Sequence, residues 1–184
     1  MSTTKHATEG DDAVTRRDML NITATCMSGV GATLALWPFV HQMNPAEDTL
    51  ALATVEVDLS SIGAGEAIVI KWQGKPVFIR HRTAEEISAA QAVEVSTLVD
   101  KESDDERIKE GHGQWLVVIG TCTHLGCVPV GTKSGDDKGE YGGWYCPCHG
   151  SHYDTSGRIR KGPAPRNLDV PEYVFANDTM IKIG

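Results

Sequence analysis

Apolar and polar positions along the 184-residue chain follow two patterns that meet near residue 50. From Met19 to Ala46 (MLNITATCMSGVGATLALWPFVHQMNPA) none of the 28 positions is charged. A bilayer span needs only about 20. A helix of a soluble core keeps a charged face, and this run has none, so it predicts one N-terminal transmembrane helix over residues 19–43. After it the period shortens to two. ATVEVDLS, EAIVIKW and PVFIRHR alternate apolar and polar, the last two flanking the turn signal Gln73-Gly74-Lys75. Thr83-Ala84-Glu85-Glu86 has capping-box spacing and predicts a short helix. QWLVVIG predicts an apolar strand, and YVFANDTMIKIG a hairpin turning at Asn177-Asp178. Asp100 to Glu110 has nine charged residues in eleven and reads as a solvated loop. The coarse sum is a small antiparallel, all-β domain over residues 55–184.

The segment before the apolar run changes the picture of the anchor. Arg16 and Arg17 in TRRDML, followed by an apolar run, resemble the twin-arginine export signal, an address for proteins translocated folded. Ala51-Leu52-Ala53 has the form of a cleavage site. It stands far beyond the run, which is also longer than a signal core, so an uncleaved signal that remains as anchor is the expectation. Residues 1–18 would be the cytoplasmic N-terminus. Residues 44–54 (starting NPAEDTLALA) would be a tether, and the rest would lie outside the bacterial inner membrane, on the periplasmic side.

Composition excludes one class of partner. The formal charge is −8, so no basic face is available for nucleic-acid phosphates.

Four of the five cysteines fall in two short segments: Cys122-Thr-His124-Leu-Gly-Cys127, and Cys146-Pro-Cys148-His149-Gly-Ser151-His152-Tyr153. The fifth, Cys26, lies in the anchor and reads as a packing residue. Each segment sets a Cys and a His at chelating distance, a donor set that suits zinc or iron–sulfur iron. A structural zinc site would use four donors and leave two cysteines without a role. In an oxidising compartment a disulfide between Cys127 and Cys148 is reasonable. His152 reads as an ordinary loop residue.

C-T-H-L-G-C followed by C-P-C-H-G-S-H-Y resembles the two boxes of Rieske iron–sulfur proteins, in which two His replace two Cys on one iron of a 2Fe–2S cluster. The resemblance implies a small antiparallel β-sandwich with a cluster-binding subdomain. Cys122 and Cys146 would bind the inner iron, and His124 and His149 the exposed outer iron. Cys127 and Cys148 would be disulfide-bonded. Ser151 and Tyr153 would donate hydrogen bonds to sulfur, and Leu125 and Gly150 would lie beside the cluster. Gly162-Pro163-Ala164-Pro165 would cover it from a third side. His152 has no role in this pattern.

Chain length leaves no room for the second iron domain of Rieske oxygenases, and the soluble Rieske ferredoxins lack the anchor and the cysteine pair. The remaining features (TRRDML, WPFVHQMNP, GKPVFIR, both boxes and GRIRKGPAPRNLDVP) are similar to the Rieske subunits of ubiquinol–cytochrome c oxidoreductase, in the proteobacterial form. That resemblance implies a dimeric multi-subunit complex with cytochrome b and a membrane-anchored c-type cytochrome, ubiquinol as reductant, and His149 as the catalytic contact with quinol. It also implies that the domain carries its electron by moving on the tether. The small subunit of arsenite oxidase, the plastoquinol-oxidising relatives and a zinc-stapled binding module are the alternatives.

Overall fold

The computed structural model describes residues 15–46 and 53–184. The chain divides into two compact units, 1–47 and 48–184. The segment before Thr15, expected to be cytoplasmic, lies outside the described residues. So does the stretch between Ala46 and Ala53, which holds most of the expected tether and of the possible cleavage site.

In the first unit, α1 (Arg16–His41) begins three residues before the charge-free run, because TRRD is itself a start signal. The Thr15 hydroxyl accepts from the Asp18 N–H (3.2 Å), and the Asp18 carboxylate accepts from the Thr15 N–H (3.1 Å). This capping box satisfies two otherwise free donors. Arg16 and Arg17 thus stand in the first turn. Its 26 residues make a rod about 39 Å long, more than the hydrocarbon core of a bilayer. The hydroxyls of Thr23, Thr25 and Thr33 donate to the carbonyls of Met19, Asn21 and Gly29, at 2.8–2.9 Å. Those polar groups are satisfied within the helix, which a span through lipid requires.

In the second unit the expected antiparallel β architecture is present, built as three three-stranded sheets. The first contains β1 (Val55–Asp58), β8 (Tyr173–Asn177) and β9 (Met180–Ile183), in the order β1-β9-β8. The second contains β2 (Ala67–Trp72), β3 (Lys75–His81) and β4 (Trp115–Ile119). The third contains β5 (Gly142–Cys146), β6 (Ser151–Asp154) and β7 (Ile159–Lys161). Successive side chains on a strand point to opposite faces, and the middle sheet uses both. Val77, Ile79, Trp115 and Val117 pack with Val57, Ile181 and Ile183 of the first sheet. Phe78, Leu116 and Val118 pack with Trp144, Tyr153 and Ile159 of the third. A sandwich is therefore formed by the first two sheets, and the third lies on the sandwich's other face. This explains why QWLVVIG carries no alternation.

The β2–β3 turn is Gln73-Gly74, with φ of 47° and 79°. Both are left-handed, as a two-residue hairpin of this twist needs. The last hairpin differs from expectation by one residue. Asn177 pairs with Met180, so the loop is Asp178-Thr179, and the Asn177 side chain accepts the Thr179 N–H at 2.9 Å. α2 (Ala84–Gln91) starts at the expected capping box, with Thr83 and Glu86 bonded reciprocally.

The charged stretch 100–110 is not a solvated loop. Asp104 and Arg107 are buried. Arg82 donates to Asp104 through Nη1 at 2.6 Å and Nη2 at 3.2 Å, and Ser156 also bonds this carboxylate. Arg107 donates through Nε to the Ser156 carbonyl at 2.6 Å. A hydropathy pattern cannot distinguish paired charges from free ones, and a buried charge persists only when paired and hydrogen-bonded.

Candidate metal centre

Two loops of like construction build the centre. The first leaves β4, and the Gly126 N–H bonds the Cys122 carbonyl at 2.9 Å. The second joins β5 to β6, and the Gly150 N–H bonds the Cys146 carbonyl at 3.0 Å. Each turn closes on a glycine with left-handed φ, 81° at Gly126 and 75° at Gly150, a conformation with no steric penalty only for glycine. Gly150 therefore serves the backbone of the site rather than its chemistry. The Cys127–Cys148 disulfide ties one loop to the other. Reciprocal backbone bonds between Val130 and Tyr145, at 2.8 and 2.9 Å, join them again below.

The donors sort by depth. Cys122 and Cys146 are buried with their side chains in contact, whereas His124 is half-buried and His149 exposed. The two imidazoles meet edge to face with centroids 4.6 Å apart. Burial pushes the Cys146 thiol above its ordinary value, while backbone N–H groups of Cys148 and His149 aimed at the sulfur oppose the rise. Those amides favour an electron-rich sulfur. The Tyr153 hydroxyl donates to the Cys122 sulfur at 3.2 Å, and burial holds the phenol far above its usual range, so it stays a donor.

Ser151 is buried, and its hydroxyl oxygen accepts the Ala164 N–H at 3.3 Å, leaving its proton free to donate. Ala164 is buried between exposed Pro163 and Pro165. Gly162 (φ 108°) lets this loop touch the second box, because a Cβ there would stand 2.5 Å from the Gly150 carbonyl oxygen. Leu125 projects from the tip, 70% exposed.

Sequence reading missed three supports. Thr123 donates to the Arg166 carbonyl at 2.6 Å, joining the first box to the loop that begins at Gly162. Trp144 stacks on Phe78 (5.7 Å) with the Arg80 guanidinium over its ring, so the strand that carries Cys146 is seated on the middle sheet. His152 is a strand residue of β6 whose Nδ1 accepts the Glu140 N–H at 3.2 Å, holding the segment between the boxes. Two-residue spacing from Cys146 to Trp144 was the available signal for the second.

The donor set fits a two-iron group. His124 Nδ1 is buried with no hydrogen-bond partner, an arrangement costly for a polar atom unless something absent from the protein chain engages it. Among the described residues, the three donors within 4.8 Å of one another are the sulfurs of Cys127, Cys146 and Cys148. Two of those are spent in the disulfide, so that trio is no ligand set. No three of Cys122, His124, Cys146 and His149 converge so tightly. One tetrahedral zinc would hold all four within a single coordination sphere. Two thiols below and two imidazoles above suit a group with two metals.

Family comparisons agree with this geometry. Residues 57–173 match the Rieske [2Fe-2S] domain. The chain belongs to the Rieske iron–sulfur family. Residues 6–46 match the model described as "Ubiquitinol-cytochrome C reductase Fe-S subunit TAT signal", which covers the twin arginine and α1. The ubiquinol-cytochrome c reductase iron-sulfur subunit of Rhodospirillum rubrum is 57% identical over 169 residues, spanning 92% of this chain and 91% of that one. Its counterpart in Rickettsia prowazekii is 56% identical, with 92% and 93% covered. A chain of the solved structure "Hyperthermophilic respiratory Complex III" aligns at TM-score 0.53 and 27% identity over 87% of this chain and 98% of its own. The chain is thus a Rieske 2Fe–2S electron carrier of the reductase type, with one apolar helix of spanning length among the described residues.

Proposed function

We propose that Cys122 and Cys146 bind the inner iron of the cluster and His124 and His149 the outer one, and that the chain oxidises ubiquinol. The observation that carries this reading is the sorting of two buried thiols and two outer imidazoles around the unpartnered His124 Nδ1. Bound there, the cluster supplies a one-electron acceptor, its potential raised by neutral imidazoles in place of thiolates. The chain's residues do the rest. His149, exposed at the tip, receives a hydrogen bond from the quinol hydroxyl on the ring nitrogen that faces solvent and holds the proton. Tyr153 and Ser151 donate toward sulfur, which favours the reduced form. The covering loop excludes water from a third side.

In this reading Arg16 and Arg17 direct export and α1 stays as anchor. Residues 55–184 then work on the periplasmic face of the inner membrane, in a dimeric complex with cytochrome b and a c-type cytochrome. The electron reaches that cytochrome by movement of the domain on residues 44–54. Introducing Thr49→Pro with Ala51→Pro is expected to slow quinol-to-cytochrome turnover while the cluster spectrum stays intact. Unchanged turnover counts against a moving domain.

Electron paramagnetic resonance after ascorbate tests the main reading. A rhombic 2Fe–2S signal with this mild reductant is the expected result; silence, with zinc in the metal analysis, would overturn it. Tyr153→Phe is expected to lower the midpoint potential, since the Cys122 sulfur loses its donor. A difference of about 1 kcal/mol between the two oxidation states corresponds to roughly 40 mV for one electron. A redox titration equal to wild type would remove Tyr153 from this role.

A further inference from the structure

The loop 162–168 has two ends, and the one at Asn167 is held by the charged stretch that carries buried Asp104 and Arg107. Asn167 is buried and fully engaged. Its N–H donates to the Asp100 carboxylate at 2.9 Å. Its side-chain amide donates to the Asp100 carbonyl at 3.3 Å and to the Glu102 carboxylate at 3.0 Å, and its oxygen accepts the Ile159 N–H at 2.9 Å. The same Glu102 carboxylate pairs with Arg107, which bonds the Leu168 carbonyl. Three residues toward the centre from Asn167, Ala164 donates to Ser151; one residue away, Arg166 accepts from Thr123.

We infer that Asn167, clamped by Asp100 and Glu102, is a positioning residue of the metal centre. It fixes the loop 162–168 so that the Ala164 N–H orients the Ser151 hydroxyl and the Arg166 carbonyl holds Thr123 beside Cys122. The inference rests on the ligand assignment proposed above. None of the clamp residues is among the proposed ligands, so its influence passes through the loop. Loss of the clamp frees the Ser151 hydroxyl to turn away from sulfur, and losing a donor to the electron-rich reduced state lowers the potential.

The test uses the full-length, cluster-loaded protein with Asn167→Ala, Glu102→Ala and Glu102→Gln. Midpoint potential and resonance line shape are read together with hydrogen exchange of the Ala164 amide. Expected are a lower potential, a shifted line shape and faster exchange at Ala164 in both alanine variants. Glu102→Gln, which keeps an acceptor for Asn167, is expected to restore the wild-type values. Should Asn167→Ala fail to fold, Glu102→Ala decides, because its side chain is 44% exposed. A wild-type potential and line shape in Glu102→Ala, whatever its melting temperature, would overturn the inference while leaving the ligand assignment standing. A wild-type protein without the Rieske signal would overturn both.

Discussion

Replacing His149 with alanine is expected to leave a folded chain without a Rieske resonance signal and without stoichiometric iron. The imidazole is exposed and the backbone around it does not depend on it: the Gly150 N–H closes the turn on the Cys146 carbonyl, and the disulfide holds the loop. Removing the ring therefore takes away a donor and little packing. Metal binding to such a site draws on every ligand at once, and one imidazole fewer leaves the outer iron open to water and loss. Iron analysis and resonance, set beside circular dichroism, check this. A normal signal in a folded variant would exclude His149 from the ligand set. The equivalent change at Cys122 or Cys146 gives the same spectroscopic loss but also opens a hole in the core, so His149 is the cleaner test.

The second large effect is one of stability. Asp154→Ala is expected to destabilise the second unit by about 3–5 kcal/mol, the range for removing one partner of a buried ion pair. Asp154 ends β6 and gathers the turn into β7. One oxygen accepts the N–H groups of Ser156 and Arg158, each at 3.0 Å, and the other accepts Arg158 Nε at 2.9 Å. Arg158 is fully buried. Without the carboxylate it keeps its bond to the neutral Ala90 carbonyl (2.8 Å), and no other carboxylate among the described residues pairs with it. Asp154→Asn retains an acceptor for the two amides and is expected to cost less. Urea unfolding of the full chain in detergent measures both. A loss below about 1 kcal/mol in the alanine variant would mean that solvent reaches Arg158.

The chemistry of this chain was more legible than its scaffold. Cys122, His124, Cys146 and His149 lie in short segments whose spacing alone limits what they bind, and Gly126 and Gly150 mark the turns that present them. The apolar helix was equally plain, since 28 consecutive positions without charge admit few readings. Asp104, Arg107 and Asn167 were not legible. Their burial depends on partners tens of residues away, Arg82, Ser156 and Asp100 among them, and local hydropathy registers such residues only as polar. The family resemblance implied a cluster-binding subdomain, but the hydropathy pattern hid the third sheet for a related reason. Its seat is the far face of β3 and β4, and a strand buried on both sides loses the alternation that would tell one core from the other.

That double burial leaves a problem of alignment in β3. A strand with one wet face is held in register because a one-residue slip would turn its apolar side chains to water. In β3 a slip would only exchange Val77 and Ile79 for Phe78, one greasy surrounding for another. Beside the two-residue Gln73-Gly74 turn, Arg80 opposes it. In the native register its guanidinium lies over Trp144 and pairs with Glu86; displaced by one residue, it would enter the apolar layer of Val57, Ile181 and Ile183 and leave Glu86 behind. A single positive charge thus adds, for this strand, the penalty that solvent imposes on a slip in most others.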